Sequence, residues 1–308
     1  MAGYSVIIPV FNEEQNVQPL YERLTRVLIA LGKPYELLFV NDGSRDRTLA
    51  VVKDLANSDR AVKYIDFSRN FGHQIAVTAG LHFSKGERIV IIDADLQDPP
   101  ELIAAMDEKM NEGWNVVYAK RATREGESFF KKITAKIFYR ILARVTSISI
   151  PVDTGDFRIM DRKVVNALNQ MPEHHKFIRG MVSWVGFKQT FVEYNRQERL
   201  SGKTGYTFRK MLRFAFDGIT GFSNMPLKLA SYFGFFVSFL SFLLILYTLY
   251  SKYLLREAVP GWASIMVSIL FIGGIQLICL GLIGEYLIRM DANLRQRPLY
   301  VVNESNLD

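Results

Sequence analysis

The stretch Ile89–Ile103, IVIIDADLQDPPELI, is apolar through Ile92 and then meets Asp93, Asp95 and Asp98 within six residues. A short, continuous apolar run of this kind suits a strand buried on both faces. The acids mark its end. Asp98-Pro99-Pro100-Glu101 then predicts a helix start: Asp98 as N-cap, a proline at the first helical position, and a glutamate three residues after the cap. Asp93 and Asp95 have no such capping role. If the segment stays extended, their side chains share one side, with Gln97 next on that face. Two carboxylates and an amide oxygen form a hard, oxygen-only set suited to Mg2+ or Mn2+, with positions left for phosphate oxygens.

The same strand–loop–helix unit repeats on both sides of this stretch. Strands are expected at Ser5–Val10, Glu36–Asn41, Val62–Phe67, Arg88–Asp93 and Asn115–Ala119, with helical patterns such as Val17–Leu31 and Thr48–Asn57 between them. Apolar strands alternating with helices predict an α/β domain, its mainly parallel sheet covered on both faces. Ligands bind such sheets beyond the carboxyl ends of the strands. There the sequence places PVFNEE, NDGSRD, SRNFGHQ, DADLQD and AKR, one after each strand in turn. Each of the first two, taken alone, also reads as a turn-and-cap sequence, because Asn, Asp, Gly and Ser favour turns. Neither G-x-G-x-x-G after the first strand nor G-x-x-x-x-G-K-[ST] anywhere occurs, which removes the main support for dinucleotide and P-loop readings.

Composition limits the rest. The chain has 308 residues, 38 Lys+Arg against 31 Asp+Glu, and one cysteine, Cys279, so no internal disulfide framework is available. The surplus of positive charge suits anionic lipid or nucleotide phosphates. The start, MAGYSVIIPVFNEE, lacks the basic opening and long apolar core of a signal peptide. Leu229–Tyr250 and Ala263–Gly284 are each 22 residues without a charge. As helices each spans about 33 Å, against about 30 Å of hydrocarbon. Arg209, Lys210, Arg213 and Lys228 precede the first run, and Arg289, Arg295 and Arg297 follow the second. The connection between them has only Lys252 and Arg256. This places both termini in the cytoplasm and makes the pair a transmembrane hairpin. The expected division is 1–205 for the α/β domain, 206–228 for a juxtamembrane amphipathic helix, 229–284 for the hairpin and 285–308 for a cytoplasmic tail. Residues 128–145 and 206–222 read as basic amphipathic helices lying in the membrane interface.

SVIIPVFNEE, VNDGSRDRT, SRNFGHQIAVTAGL, IIDADLQDPPELI and DTGDFRIMDRKV, in this order, resemble the family 2 glycosyltransferases of the GT-A fold. More narrowly they are similar to polyprenyl-phosphate glycosyltransferases, the group of bactoprenol glucosyltransferases and dolichol-phosphate mannose synthases. The likeness covers residues 5 to 225, and the two-span tail resembles the bactoprenol branch. It implies that Pro9, Phe11 and Glu13 line the nucleotide pocket, that Asp42 bonds the base, and that Asp93 contacts nucleotide or metal. It further implies that Asp95 and Gln97 hold the metal on the diphosphate, and that Asp156 stands at the base position. Asp156 has a structural alternative as the cap of a helix starting near Asp161. His73 reads equally as a helix-entry residue.

Arg121, Lys132, Arg199 and Lys203 are candidate phosphate clamps for donor or acceptor. Where the family pattern has a lysine near position 205, this chain has Lys203. The leading reading is inverting transfer of glucose from UDP-glucose to undecaprenyl phosphate at the cytoplasmic membrane, with the catalytic domain in the cytoplasm. GDP-mannose or a UDP-modified arabinose are alternative donors. A processive polysaccharide synthase is disfavoured by the missing Q-x-x-R-W and the small number of spans. A membrane receptor for a nucleotide or lipid phosphate is the non-enzyme alternative. Nucleic acid is not an expected partner, because the basic clusters border apolar segments. A homo-oligomer is left open.

Overall fold

The computed structural model describes residues 3–121, 154–174, 176–194, 225–250 and 261–307. Five strands fall where the apolar runs predict them: β1 (Tyr4–Val10), β2 (Tyr35–Asn41), β3 (Val62–Phe67), β4 (Arg88–Ile91) and β5 (Val116–Arg121). Three more complete the sheet: β6 (Thr154–Asp161), β7 (Gln189–Tyr194) and β8 (Val302–Ser305). The order is β7-β5-β6-β4-β1-β2-β3-β8. β3, β2, β1 and β4 run parallel, and β6 enters antiparallel between β4 and β5. The sheet is therefore mixed, with its parallel block at the centre.

Helices α1 (Val17–Ala30), α2 (Thr48–Ser58) and α4 (Leu102–Asn111) cover one face, and α3 (His73–Phe83), α5 (Arg162–Asn169) and α6 (Ile178–Trp184) the other. Strand alternation divides the core. Val6, Ile8 and Val10 of β1 pack with Leu20, Leu24 and Leu28 of α1, while Ile7 packs with Ala76 and Val77 of α3. Each such side chain, removed from water, contributes about 1.5–3 kcal/mol. α3 lies so close to β1 that a Cβ on Gly80 would stand 2.2 Å from Cγ2 of Ile7.

The chain steps from β1 to β2 and β3 on one side, and β4 lies on the other. The carboxyl ends of β1 and β4 therefore flank a topological switch point, where such sheets open a crevice. The β1–β4 ladder stops at Ile7–Ile91, which leaves Pro9 beyond it where the two strands part.

Two long helices follow, α7 (Met225–Tyr250) and α8 (Trp262–Leu294). Phe271–Leu294, 24 residues, is long and apolar enough to cross a membrane, and its apolar side chains are not buried within the protein. α8 runs on past Gly284, the expected end of the second apolar run, because charged residues such as Glu285 and Arg289 continue a helix as readily as apolar ones. The tail is not a free extension either, since β8 joins the sheet edge beside β3. The amphipathic segments expected at 128–145 and 206–222 lie outside the described residues.

Candidate active site

The loops after β1 and β2 are cross-linked. Asn12 N donates to Ser44 Oγ (3.0 Å), Arg45 N to Asn12 Oδ1 (2.8 Å) and Glu13 N to Thr48 Oγ1 (2.8 Å). PVFNEE and NDGSRD thus form turns that brace each other, and neither of the helices that follow has a side-chain bond at its N-cap. Phe11 remains 43% exposed at the mouth of the crevice. The Glu13 carboxylate receives Asn16 Nδ2 at 2.6 Å.

Asp42 is buried and holds the loop after β3. Its Oδ1 accepts from Phe71 N (2.6 Å), and its Oδ2 accepts from Gly72 N (2.9 Å). Burial raises its pKa, and these two backbone donors oppose the rise. Gly43 makes the approach possible: its φ is +66°, and an added Cβ would lie 2.5 Å from the carbonyl carbon of Arg69.

The loop after β4 differs from the sequence expectation. β4 ends at Ile91, and the chain turns at Ala94–Asp95 rather than staying extended. Leu96 takes a left-handed φ of 59°, and Gln97 N donates to Asp95 Oδ1 at 3.2 Å. Asp93 and Asp95 are therefore not successive positions on one strand face. The left-handed Leu96 is a costly conformation for a branched residue, of a kind found where a loop must aim particular side chains. Asp98 is not the N-cap. The prolines form preliminary turns, the helix proper starts at Leu102, and Glu101 occupies the cap position. Asp98 is instead buried and accepts the Tyr194 hydroxyl.

Asp156 is the centre of the site. It lies in β6, remote from the cap of α5, which is Asp161. Its Oδ1 accepts from Arg179 Nε (2.9 Å) and Arg158 Nη2 (3.2 Å). Its Oδ2 meets His73 Nε2 at 3.0 Å and Gln74 Nε2 at 3.5 Å. Arg158 is fully buried under the ring of Tyr118, with Nε on the carbonyl of Asp156 and Nη2 on that of Gly155. Burial works against the Asp156 charge, but Arg179, His73 and Arg158 outweigh it and hold the carboxyl well below its ordinary pKa.

His73 opens α3 behind Gly72, with its Nε2 also 3.7 Å from Asp93 Oδ1. Burial disfavours its charge, yet the bond to Asp156 and the charges of Asp93 and Asp156 raise its pKa to about 9. Asp93 is pushed up to about 6 by burial, against the pull of His73. Its Oδ1 is buried without a hydrogen-bond partner.

The ligand atoms of His73, Asp93 and Asp156 all lie within 4.8 Å of one another. An imidazolium has no lone pair to give a metal. With both ring nitrogens protonated, His73 is itself a cation between two carboxylates. The orphaned Asp93 Oδ1 is then the atom of this cluster that fits a divalent ion.

The structure thus gathers Asp93 and Asp156 with His73, Arg158, Arg179 and Gln74. Of these additions, Arg158 carried the one usable signal, an arginine inside the apolar pattern DFRIM. Arg179 sits in a segment with no motif, and a lone histidine at a helix start is not diagnostic. Arg121 ends β5. Lys132, Arg199 and Lys203 lie outside the described residues.

The chain matches known proteins over most of its length. Residues 5–168 match the model of glycosyl transferase family 2, and residues 225–290 match that of the GtrB C-terminal hairpin. An uncharacterized glycosyltransferase of Bacillus subtilis, YkcC, is 53% identical over 98% of this chain and 94% of its own length. A prophage-derived bactoprenol glucosyl transferase of Shigella flexneri is 40% identical over 98% of each chain. Among solved structures, glucosyl-3-phosphoglycerate synthase from Mycobacterium tuberculosis, in complex with Mn2+, UDP and phosphoglyceric acid, matches with a TM-score of 0.50 at 16% identity. That match covers 71% of this chain and 76% of the other, and it is a likeness of fold.

Proposed function

The chain belongs to glycosyltransferase family 2, and on that premise we infer that it transfers glucose from UDP-glucose to a polyprenyl phosphate, with inversion. The observation that carries the acceptor class is the state of Asp156. Four side-chain donors surround its two oxygens, and the guanidinium groups hold it ionised. Such a carboxylate is a poor proton acceptor. A sugar or serine hydroxyl needs its proton removed during attack. A phosphate monoester arrives already ionised, with a second pKa of about 6, and needs no base. The bactoprenol relative supports a lipid as the carrier of that phosphate.

In this mechanism an acceptor phosphate oxygen bonds to the anomeric carbon as the bond to the diphosphate oxygen breaks, and the electron pair leaves with the diphosphate. A single displacement inverts the centre. Phe11 and the Asp42-braced loop would flank the nucleotide. Asp156 fixes Arg179 and His73, so that two cations stand ready at the crevice where negative charge gathers. This preorganised charge is what a leaving diphosphate requires.

Asp93 and Asp95 would hold Mg2+ or Mn2+, and the ion would supply further charge to the diphosphate. α8, with α7 as its partner in a hairpin, would anchor the domain to the cytoplasmic membrane, where the lipid phosphate lies.

The test is incubation of detergent-solubilised protein and polyprenyl phosphate with radiolabelled UDP-glucose, GDP-mannose and a UDP-modified arabinose in turn. Label from UDP-glucose should pass into the organic phase. No lipid-linked label from any donor would overturn the reading.

A further inference from the structure

We propose that Tyr300 and Asn303, in the tail that follows α8, are positioning residues of the donor site, so that the tail aims the two loops flanking the crevice. The proposal rests on the donor site assigned above. β8 pairs antiparallel with β3, and the register shifts between Asp66 and Phe67: Glu304 faces Asp66 and Val302 faces Phe67. Asn303 is the extra residue of this bulge, a device that re-aims a side chain.

Asn303 Nδ2 donates to Asp66 Oδ2 at 2.9 Å, and Asn41 Nδ2 donates to Asp66 Oδ1 at 2.6 Å. The relay continues through Ser44 Oγ on Asn41 Oδ1 (2.5 Å) to Asn12 N on Ser44 Oγ (3.0 Å), beside Phe11. A second arm starts at Tyr300, whose ring stacks on Phe67 at 5.0 Å and 17°. Phe67 meets Phe71 edge-on at 5.6 Å, and Phe71 N is bound to Asp42. Val301 O accepts from Ser68 N at 3.0 Å, at the root of the same loop. One arm therefore ends on the Phe11–Glu13 loop and the other on the loop that leads to His73.

Covering a sheet edge explains the strand but not its chemistry. An apolar edge would be sealed by apolar residues. Here a buried carboxylate, Asp66, takes an amide from the tail on one oxygen and an amide from β2 on the other. A buried charge is retained only with such partners, and these partners lie at the crevice end of β3. Because the tail begins where α8 ends, the donor loops are tied to the helix that meets the membrane. Asn293 of α8 adds a tie on the other side, its Oδ1 accepting from His174 N at 2.9 Å.

The test compares Asn303→Asp, Asn303→Gln and Tyr300→Ala in the full-length protein. Asn303→Asp sets a second carboxylate against Asp66. Nucleoside-diphosphate binding is measured by calorimetry with UDP and GDP in Mg2+, the steady-state constants with UDP-glucose, and amide exchange without ligand. Expected for Asn303→Asp is a Kd for the bound diphosphate and a donor KM raised about tenfold, as for the loss of one charge-assisted hydrogen bond. Acceptor KM and kcat should remain within about twofold of wild type on the same scale. Amides at Asn12 and Phe71–Gly72 should exchange faster. Tyr300→Ala, which removes the stack on Phe67, should raise the same donor constants, and Asn303→Gln should recover part of the affinity.

If Asn303→Asp does not fold, Asn303→Gln and Tyr300→Ala carry the comparison with the same expected direction. Unchanged donor constants with unchanged exchange would overturn the proposal. So would equal losses in donor and acceptor constants, which would make the tail a general scaffold. If the wild type binds neither UDP nor GDP, the donor assignment fails and the positioning role falls with it. The exchange data then still report whether the tail braces the loops.

Discussion

Asp156 separates two accounts of the chemistry, because a carboxylate that takes protons and one that fixes cations need opposite surroundings. Its partners favour the second. Arg158 is the most revealing of them, since a fully buried arginine with Nη1 unpartnered is retained only where its charge is needed. Arg158→Lys replaces the planar fork with one ammonium, which cannot span both carbonyls and the Asp156 carboxylate. Breaking such a buried pair should lower stability by about 3 kcal/mol, read in denaturant titrations, and slow transfer with it. A variant as stable as wild type would show that Arg158 does not hold Asp156. His73 gives a pH signature. Its folded pKa of about 9 lies above the ordinary 6.5. Its pairing therefore contributes full stability below pH 6.5, and that contribution is lost as pH rises through about 9. Its side chain is 42% exposed, so water screens the pair and the loss is modest. The melting temperature should decline across this window, and His73→Gln should flatten the decline. An identical slope in the variant would remove His73 from the ion-pair cluster.

At the scale of elements, two glycines sit under different parts of the crevice and distinguish its shape from its support. Gly43→Ala combines a left-handed φ of +66° with a backbone clash at 2.5 Å against Arg69, and the Asp42-bound loop must move. Gly80→Ala meets Cγ2 of Ile7 at 2.2 Å, under the sheet and away from the loops. Overpacking there should cost about 1–3 kcal/mol of stability. Donor KM should therefore rise in Gly43→Ala and stay near wild type in Gly80→Ala, although both melt earlier. Equal KM values would mean that the loop geometry does not set donor affinity. The same contrast explains what was legible in the sequence. β1, β2 and β4 are readable because they are apolar nearly throughout, and β3 and β5 because an apolar stretch still dominates each. β6 is not, because Asp156, Arg158 and Asp161 interrupt it, and their partners on α3 and α6 lie far away in the chain. β8, whose sequence is VNES, carries no strand signal, since its pairing is set by the β3 edge. The acids after β4 advertise a site, but their turn depends on a left-handed Leu96 that no periodicity reveals. Asp156 stands out in the sequence only through the resemblance of DTGDFRIMDRKV, and that resemblance assigns no role to the side chains that surround it in the structure.

In the whole molecule, a crevice at the β1/β4 switch point is joined to a long apolar helix and to a tail that returns to the sheet. Arginines and lysines flank the helical pair on the domain side in the sequence, and that asymmetry would orient it across a membrane with the domain in the cytoplasm. A cysteine introduced at Glu257, with Cys279→Ser, should react with an impermeant reagent from outside spheroplasts. One at Ser128 should be protected, and the reverse pattern would contradict the orientation. The central claim is that an ionised lipid phosphate attacks the donor sugar directly, in a site whose buried aspartate takes no proton. Its most direct test is the anomeric configuration of the lipid-linked product made from UDP-α-glucose, read from the coupling of the anomeric proton by NMR. The expected product is a β-linked glucosyl phosphate, the outcome of one displacement. An α-linked product, or glucose released to water with none on the lipid, would contradict it.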